Sequence, residues 1–493
     1  NGINAGNVVI SDGAGLNLSG DDIDFLLLGN FTNYNTVNNQ TQGFYSGTSG
    51  LRIMGENDQY FTNQSPLELN RLWINCLSEA SFRPNTQLVI HDLTIDSGGF
   101  ASTSSLPHTI TGDFVISNGR WYDHASTLYF TGSADQNVII TATLSNPDYA
   151  WFNNIVINKP SGSVNVTQSS LHLRNQGNLN IVSGTLDLND QELFLTGVIT
   201  VGSAATLKAD AGAGVHLGSA LEVLEGGRIE LSGTSETPAL VTHNQTGYPS
   251  FAIGSGGTIY AEYCIFEYLS GSGVNVLSGA IVDSDHAFNY CTFRNGAENG
   301  VLLSLNDSNG YTITGANFPA NTWNSAFNVS KTAEEGEVFF SQVSGAFAGP
   351  AFEYDPNNRI QWNDFKADLI VTSAAWNPVS AEIGGPATLT ATIKNTGVVA
   401  SGPFYLDLIR NLGLAPEFGT TADNSLLVPS LAAGDSTVLS FENIVWGVAE
   451  NWQSWLIADA SAAVSEINEN DNITGPYLIS WITPPLPNIY ISG

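Results

Sequence analysis

Three groups of residues have the types and spacing that chemistry requires. The first is "VDSDHAF", in which Asp283, Asp285 and His286 supply two carboxylates and an imidazole. Acid/base work on a polysaccharide needs paired carboxylates, with a cationic group nearby where charge develops on a sugar acid. In a regular strand Asp283 and Asp285 share a face and His286 points to the other, so spacing alone does not make the three converge. The nearest arginine in sequence is Arg294. A polar loop between structural elements is the competing reading, and these residues argue against an enzyme more than for one.

The second group is "ADASAAVSEINENDN", which carries Asp459, Glu466, Glu469 and Asp471. Clustered oxygen ligands suit a hard cation such as Ca²⁺, although the spacing is not that of an EF-hand. Acidic residues and asparagine solvating a turn before a last strand are the plainer account, and no other cofactor is expected. The third group is a pair of cysteines in "AEYCIFEY" and "FNYCTFRN", where Tyr263, Cys264 and Phe266 recur as Tyr290, Cys291 and Phe293. Two readings stand: free thiols filling a small apolar slot, or a disulfide between neighbouring repeats, whose geometry is demanding. Cys76 is then left over. The seven histidines lack metal-ligand spacing, and no phosphate-binding or dinucleotide fingerprint occurs.

The elements that must position these groups are written in a repeated phrase. "NLNIVSGTLDLNDQELFLTG" from Asn178 aligns with "VITVGSAATLKADAGAG", placing Leu179 on Ile199, Ile181 on Val201 and Leu186, one residue late, on Leu207. A third copy, "ALEVLEGGRIELSG", fills the slots of Leu179, Ile181, Leu186 and Leu188 with Leu221, Val223, Ile229 and Leu231, and "LTIDSGGF" and "FVISNGRW" are relatives upstream. A period of about 20 to 22 residues signals a solenoid. Alternation at period two, β-branched residues and a glycine in each unit exclude helical repeats and specify short strands. One such unit cannot bury its apolar side alone. Stacking coils in register, with strands about 4.8 Å apart, piles equivalent side chains into apolar ladders. About 16 coils, and a rod of roughly 75 Å, follow for residues 1–366.

Composition narrows the partners. Forty-six acidic against 14 basic residues give a net charge of −32, which makes nucleic acid and anionic membranes unsuitable partners. Only 12% of residues are charged, so Asn, Ser, Thr and Gly must supply most of the wetted surface, as in extracellular β proteins. No apolar run reaches the roughly 18 residues that span a bilayer, and the lack of a methionine before Asn1 suggests a processed, exported chain.

"YCIFEYLSGSGVNV", "DHAFNYCTFRNGAENGVLL" and "NVSKTAEEGEVFFSQVSGAFAGPAFEYDPNNRIQW" resemble the right-handed parallel β-helix regions of large secreted bacterial surface proteins. The Gly-His-Gly and Arg-x-Lys elements of a polygalacturonase-like site are missing from them. Near Ala367 the rhythm changes to longer alternating strands, with Leu369 and Val371, then Leu389, Ala391 and Ile393, then Phe404, Leu406 and Leu408 as inward faces of a two-sheet sandwich. Residues 367–475, above all the Lys394-Asn395-Thr396-Gly397 turn and the Glu466 to Asn472 segment, resemble the CARDB family, an Ig-like module associated with cell adhesion. The expected fold is therefore all-β: a right-handed parallel β-helix over residues 1–366, an Ig-like antiparallel β-sandwich, and a proline-containing tail with a terminal strand over 476–493.

The resemblance implies a secreted, cell-surface structural or adhesive protein, displayed singly or assembled head-to-tail into a filament, with itself or the cell-surface matrix as partner. A polysaccharide-binding or polysaccharide-degrading β-helix protein is the alternative. Solenoid ends expose strand edges, so Val8, Val9 and Ile10 at one terminus and Ile489, Tyr490 and Ile491 at the other are the expected subunit contacts.

Overall fold

The computed structural model describes residues 3–486 apart from 20–22, 78, 104, 123–124, 142–149, 175 and 320–325; Ile489, Tyr490 and Ile491 lie outside the described residues. The chain divides into two units, Asn1–Gln361 and Trp362–Gly493. No helix among the described residues is long and apolar enough to cross a membrane.

The first unit is a parallel β-solenoid. Thirteen strands, from Val8–Ile10 to Thr292–Arg294, form one ladder, and the bridges Thr292↔Asn317 and Asn317↔Ser344 carry it two rungs further. Fifteen rungs over 361 residues make the average coil about 24 residues long. The count falls just below that expected from the tightest repeats, because several coils carry loop insertions. A second, 22-stranded parallel sheet supplies the other limbs of the coils.

Side-chain alternation explains why these segments stack. Leu179 pairs with Ile199, which pairs with Leu221; Ile181 pairs with Val201, which pairs with Val223. All six are fully buried. The one-residue lag before Leu207 is absorbed at a corner, where Ala204 takes φ 59° and Leu186 and Leu207 return to register. Aromatic residues stack in the same way: Phe31 on Phe61 at 4.3 Å, and Phe100 on Trp121 at 4.4 Å. At a turn, buried Asn33 donates Nδ2 to Asn63 Oδ1 at 2.6 Å, and the Asn63 N–H donates to Asn85 Oδ1 at 3.0 Å. Asparagine therefore does inside the turns what leucine does in the strands: each side chain satisfies the coil next to it.

In the second unit, one sheet holds Leu369–Asn377, Pro386–Asn395 and Ser436–Val445, and a five-stranded sheet faces it. Its core contains Leu369, Leu389, Ala391, Ile393, Phe404, Leu406 and Leu408. Val371 is only partly buried because the register slips between Val371 and Ser373. Asn395 is fully buried and uses its whole hydrogen-bonding capacity: Nδ2 donates to Val399 O and Leu431 O, and Oδ1 accepts from the Asp368 and Gly397 N–H groups. That locks the Lys394–Gly397 turn. The last strand, Ile473–Ile482, runs through Pro476 and buries Ile479 and Trp481 in the core. The segment expected to be a tail from 476 is thus sandwich as far as Ile482, because its apolar residues alternate with the pleat.

The core makes two measurable demands. Leu207→Ala removes a side chain clamped between Leu186 and Ile229, and we expect it to lower solenoid stability by about 3 kcal/mol in urea unfolding, whereas outward-facing Glu222→Ala should have little effect. His108 is fully buried against Phe100 and Trp121, and burial lowers its pKa to about 4. The unfolded chain takes up this proton first, so the stabilisation is complete above about pH 6.5 and is lost as pH falls toward 4. The loss is on the order of 3 kcal/mol. Unfolding midpoints measured across that range should slope for the parent and flatten for His108→Phe.

Candidate functional site

Residues Asp283 to His286 sit in an irregularity of the strand Ile281–Asn289. Val282 pairs with Ile259 and Ala287 with Ala261, so four residues of one coil face a single residue, Tyr260, of the previous one. A bulge of this kind re-aims side chains. It overturns the expectation from regular alternation: His286 Nδ1 lies 3.1 Å from Asp283 Oδ1. Asp285 is exposed and contributes its backbone N–H to the same oxygen at 3.3 Å.

The cation also comes from an unexpected place. Arg294 is engaged elsewhere, its Nε donating to Glu267 at 2.8 Å. Arg228 fills the role, with Nη2 3.4 Å from Asp283 Oδ2 and Nε bonded to Glu230. It lies two coils back, because Arg228 pairs with Thr258 and Thr258 with Ile281. The Tyr260 ring stacks on His286 at 4.0 Å, and Glu262 Oε2 stands 3.9 Å from His286 Nε2. The recurrence of "GGRIE" as "GGTIY", Gly226 to Glu230 and Gly256 to Tyr260, was the signal that could have put Arg228, Glu230 and Tyr260 beside the Asp–His pair.

Burial pushes the Asp283 carboxyl upward, but the His286 hydrogen bond and the Arg228 guanidinium outweigh it and hold the group below the usual carboxylate range. Asp283 is therefore ionised at neutral pH and is suited to orienting the imidazole, not to donating a proton. The cluster spans three coils and binds them to one another as well as gathering a carboxylate, an imidazole and a guanidinium.

The acidic group in the sandwich is arranged differently. Asp459 Oδ2 accepts the Val464 N–H at 2.6 Å, and Oδ1 accepts the Ala463 N–H and the Ser461 hydroxyl. Glu466 accepts the Leu369 N–H and, at 2.8 Å, Asn472 Nδ2; Glu469 accepts the Glu466 N–H at 3.3 Å; Asp471 is exposed. Oxygens of Asp459, Glu466 and Glu469 thus accept hydrogen bonds from neighbouring backbone and side-chain groups, and no group of three or more His, Cys, Asp or Glu that could hold a metal occurs among the described residues. Cys264 and Cys291 are buried, free neighbours in one ladder, set there by the pairing of Ile265 with Thr292. Cys76 is also buried and free. Val8–Ile10 is the first strand of its ladder, pairing among the described residues only with Phe31–Asn33; Val9 is exposed and Ile10 buried.

Burial raises the Glu466 pKa to about 7, against the hydrogen bonds from Leu369 and Asn472 that favour the ion. Because the folded value lies above the ordinary one, its contribution is complete below about pH 4.5 and is lost as pH rises through 7. The size is about 3 kcal/mol. The sandwich should therefore unfold more easily at pH 8 than at pH 5 in urea titrations, opposite to the His108 effect in the solenoid, and Glu466→Gln should remove the slope.

Among curated proteins none matches the chain. Solved structures similar to it include the CARDB domain of a Pyrococcus furiosus protein, described as a complex with di-metal ions, at 20% identity and TM-score 0.20, covering 24% of this chain and 90% of that one. A domain of a putative cell surface protein from Methanosarcina acetivorans is 25% identical, with TM-score 0.20 and coverage of 25% and 99%. A β-glucosidase from Erythrobacter marinus is 14% identical, with TM-score 0.17 and coverage of 24% and 16%. Residues 366–475 match the CARDB family, and that part of the second unit is a CARDB domain.

Proposed function

We propose that the protein is an extracellular structural or adhesive component, displayed at a bacterial cell surface or assembled head-to-tail into a filament. The observation that carries this reading is the presence of a CARDB domain in one chain with a fifteen-rung solenoid. A parallel solenoid is stiff because every rung is hydrogen-bonded to the next over its length, which suits a spacer. The first rung leaves one edge of Val8–Ile10 without a partner strand among the described residues, and such an edge is a template for another chain. Contacts between unlike ends generate open filaments. The excess of negative charge supports partners other than nucleic acid or anionic lipid.

Electron microscopy of purified protein at high concentration tests assembly: filaments support that branch, and monodisperse monomers with and without calcium would sink it. Antibody labelling of intact cells tests display, and a wholly intracellular signal would remove both branches.

A polysaccharide-active protein remains as a second reading because Asp283, His286 and Arg228 do converge. Release of unsaturated or reducing products from a polyuronide panel, lost in Asp283→Ala, would displace the adhesive reading; no turnover in the parent protein would retire the enzyme.

A further inference from the structure

The solenoid is not continuous on every face. Gly15–Asn17 pairs with Gly43–Tyr45 in a separate two-stranded sheet, and the next strand on that side, beginning at Leu67, pairs with the following coil but not with Gly43–Tyr45. A side chain bridges the break. Ser46 Oγ donates to Glu68 O at 3.4 Å and accepts the Asn70 N–H at 3.3 Å, replacing the backbone groups a rung would have supplied. Between the overhanging residues and the outer face of the coils beyond them lies a cleft of ≈ 610 Å³, within the range of small-molecule sites, about 300–1,000 Å³.

The residues facing this space combine polar groups with apolar surface and carry no basic Lys or Arg. The floor presents Glu68, Asn70, His91 and Thr111, and the wall presents Val37 and Tyr45. Asn70 is oriented in advance by donating Nδ2 to Thr48 O at 2.8 Å, and His91 Nδ1 is held 3.1 Å from Thr111 Oγ1. No lysine or arginine lines the cleft. Carboxylate, amide, imidazole and hydroxyl groups set at the rung spacing can each bond one hydroxyl of a polyol, while an aromatic and a valine side chain offer apolar surface to its C–H groups. An anionic ligand would find no counter-charge here and would meet the field of a chain with net charge −32.

We propose that this cleft binds a neutral oligosaccharide. The site is separate from the Asp283–His286 cluster and does not depend on assembly or display of the protein.

Isothermal titration of the full chain against hexamers of β-1,4-glucan, xylan, mannan and chitin, with oligogalacturonate as the anionic comparison, tests the assignment. At least one neutral hexamer should bind, and Glu68→Ala and His91→Ala, both exposed positions outside the core, should each weaken it about tenfold with unfolding midpoints unchanged. Val89→Trp, placed on the cleft floor, should block binding. Absence of binding by every neutral hexamer, binding indifferent to all three variants, or preference for oligogalacturonate would each overturn the proposal. Imaging and cell labelling read the adhesive function separately, so either can fail alone.

Discussion

Backbone hydrogen bonding between parallel strands one coil apart is the constraint on which everything else in the solenoid depends. It fixes the rise at about 4.8 Å per rung and leaves equivalent side chains no choice but to touch. The constraint acts alike on every residue type. Inside, leucine meets isoleucine and phenylalanine meets phenylalanine; at turns, asparagine meets asparagine; outside, Asp283, Arg228 and Tyr260 are brought to one spot from three coils. A residue is tolerated at a position only if it can live against the residue one coil away, so unlike charges or stacked rings recur on the outer face as well.

Departures from the ladder are where the molecule acquires features a uniform coil lacks. The bulge at Asp283–His286 puts an imidazole on a carboxylate that regular alternation would have kept apart. The break between Gly43–Tyr45 and the Leu67 strand opens a cleft whose floor is still ruled by rung spacing. Both follow from one rule: where backbone pairing lapses, side chains take over its hydrogen bonds, and space or new geometry appears beside them.

The sandwich obeys a different logic. Its two sheets are held by a common apolar core and by a few fully committed polar side chains, Asn395 foremost. Glu466 belongs to the same class but is placed where burial opposes its charge. Burial thus pulls His108 of the solenoid and Glu466 of the sandwich in opposite directions, each toward its neutral form.

The amino-acid order by itself determined the repeat, the strand type, the inward residues and the change of architecture near residue 366, because these depend only on period-two alternation and on equivalent positions recurring at a near-constant interval. Leu179, Ile199 and Leu221 are legible as one ladder in the sequence alone. Tertiary structure decided the rest. Arg228 lies 55 residues from Asp283 in sequence, and only the coil lengths between them bring the two together. The orientation of His286 depends on a bulge that no local propensity encodes. The carboxylates of Asp459 and Glu466 look like ligands in sequence, and only the fold shows which N–H groups they accept. Periodic burial is a local property repeated many times and so is legible; a site is a coincidence of distant residues, set by register and by where register fails.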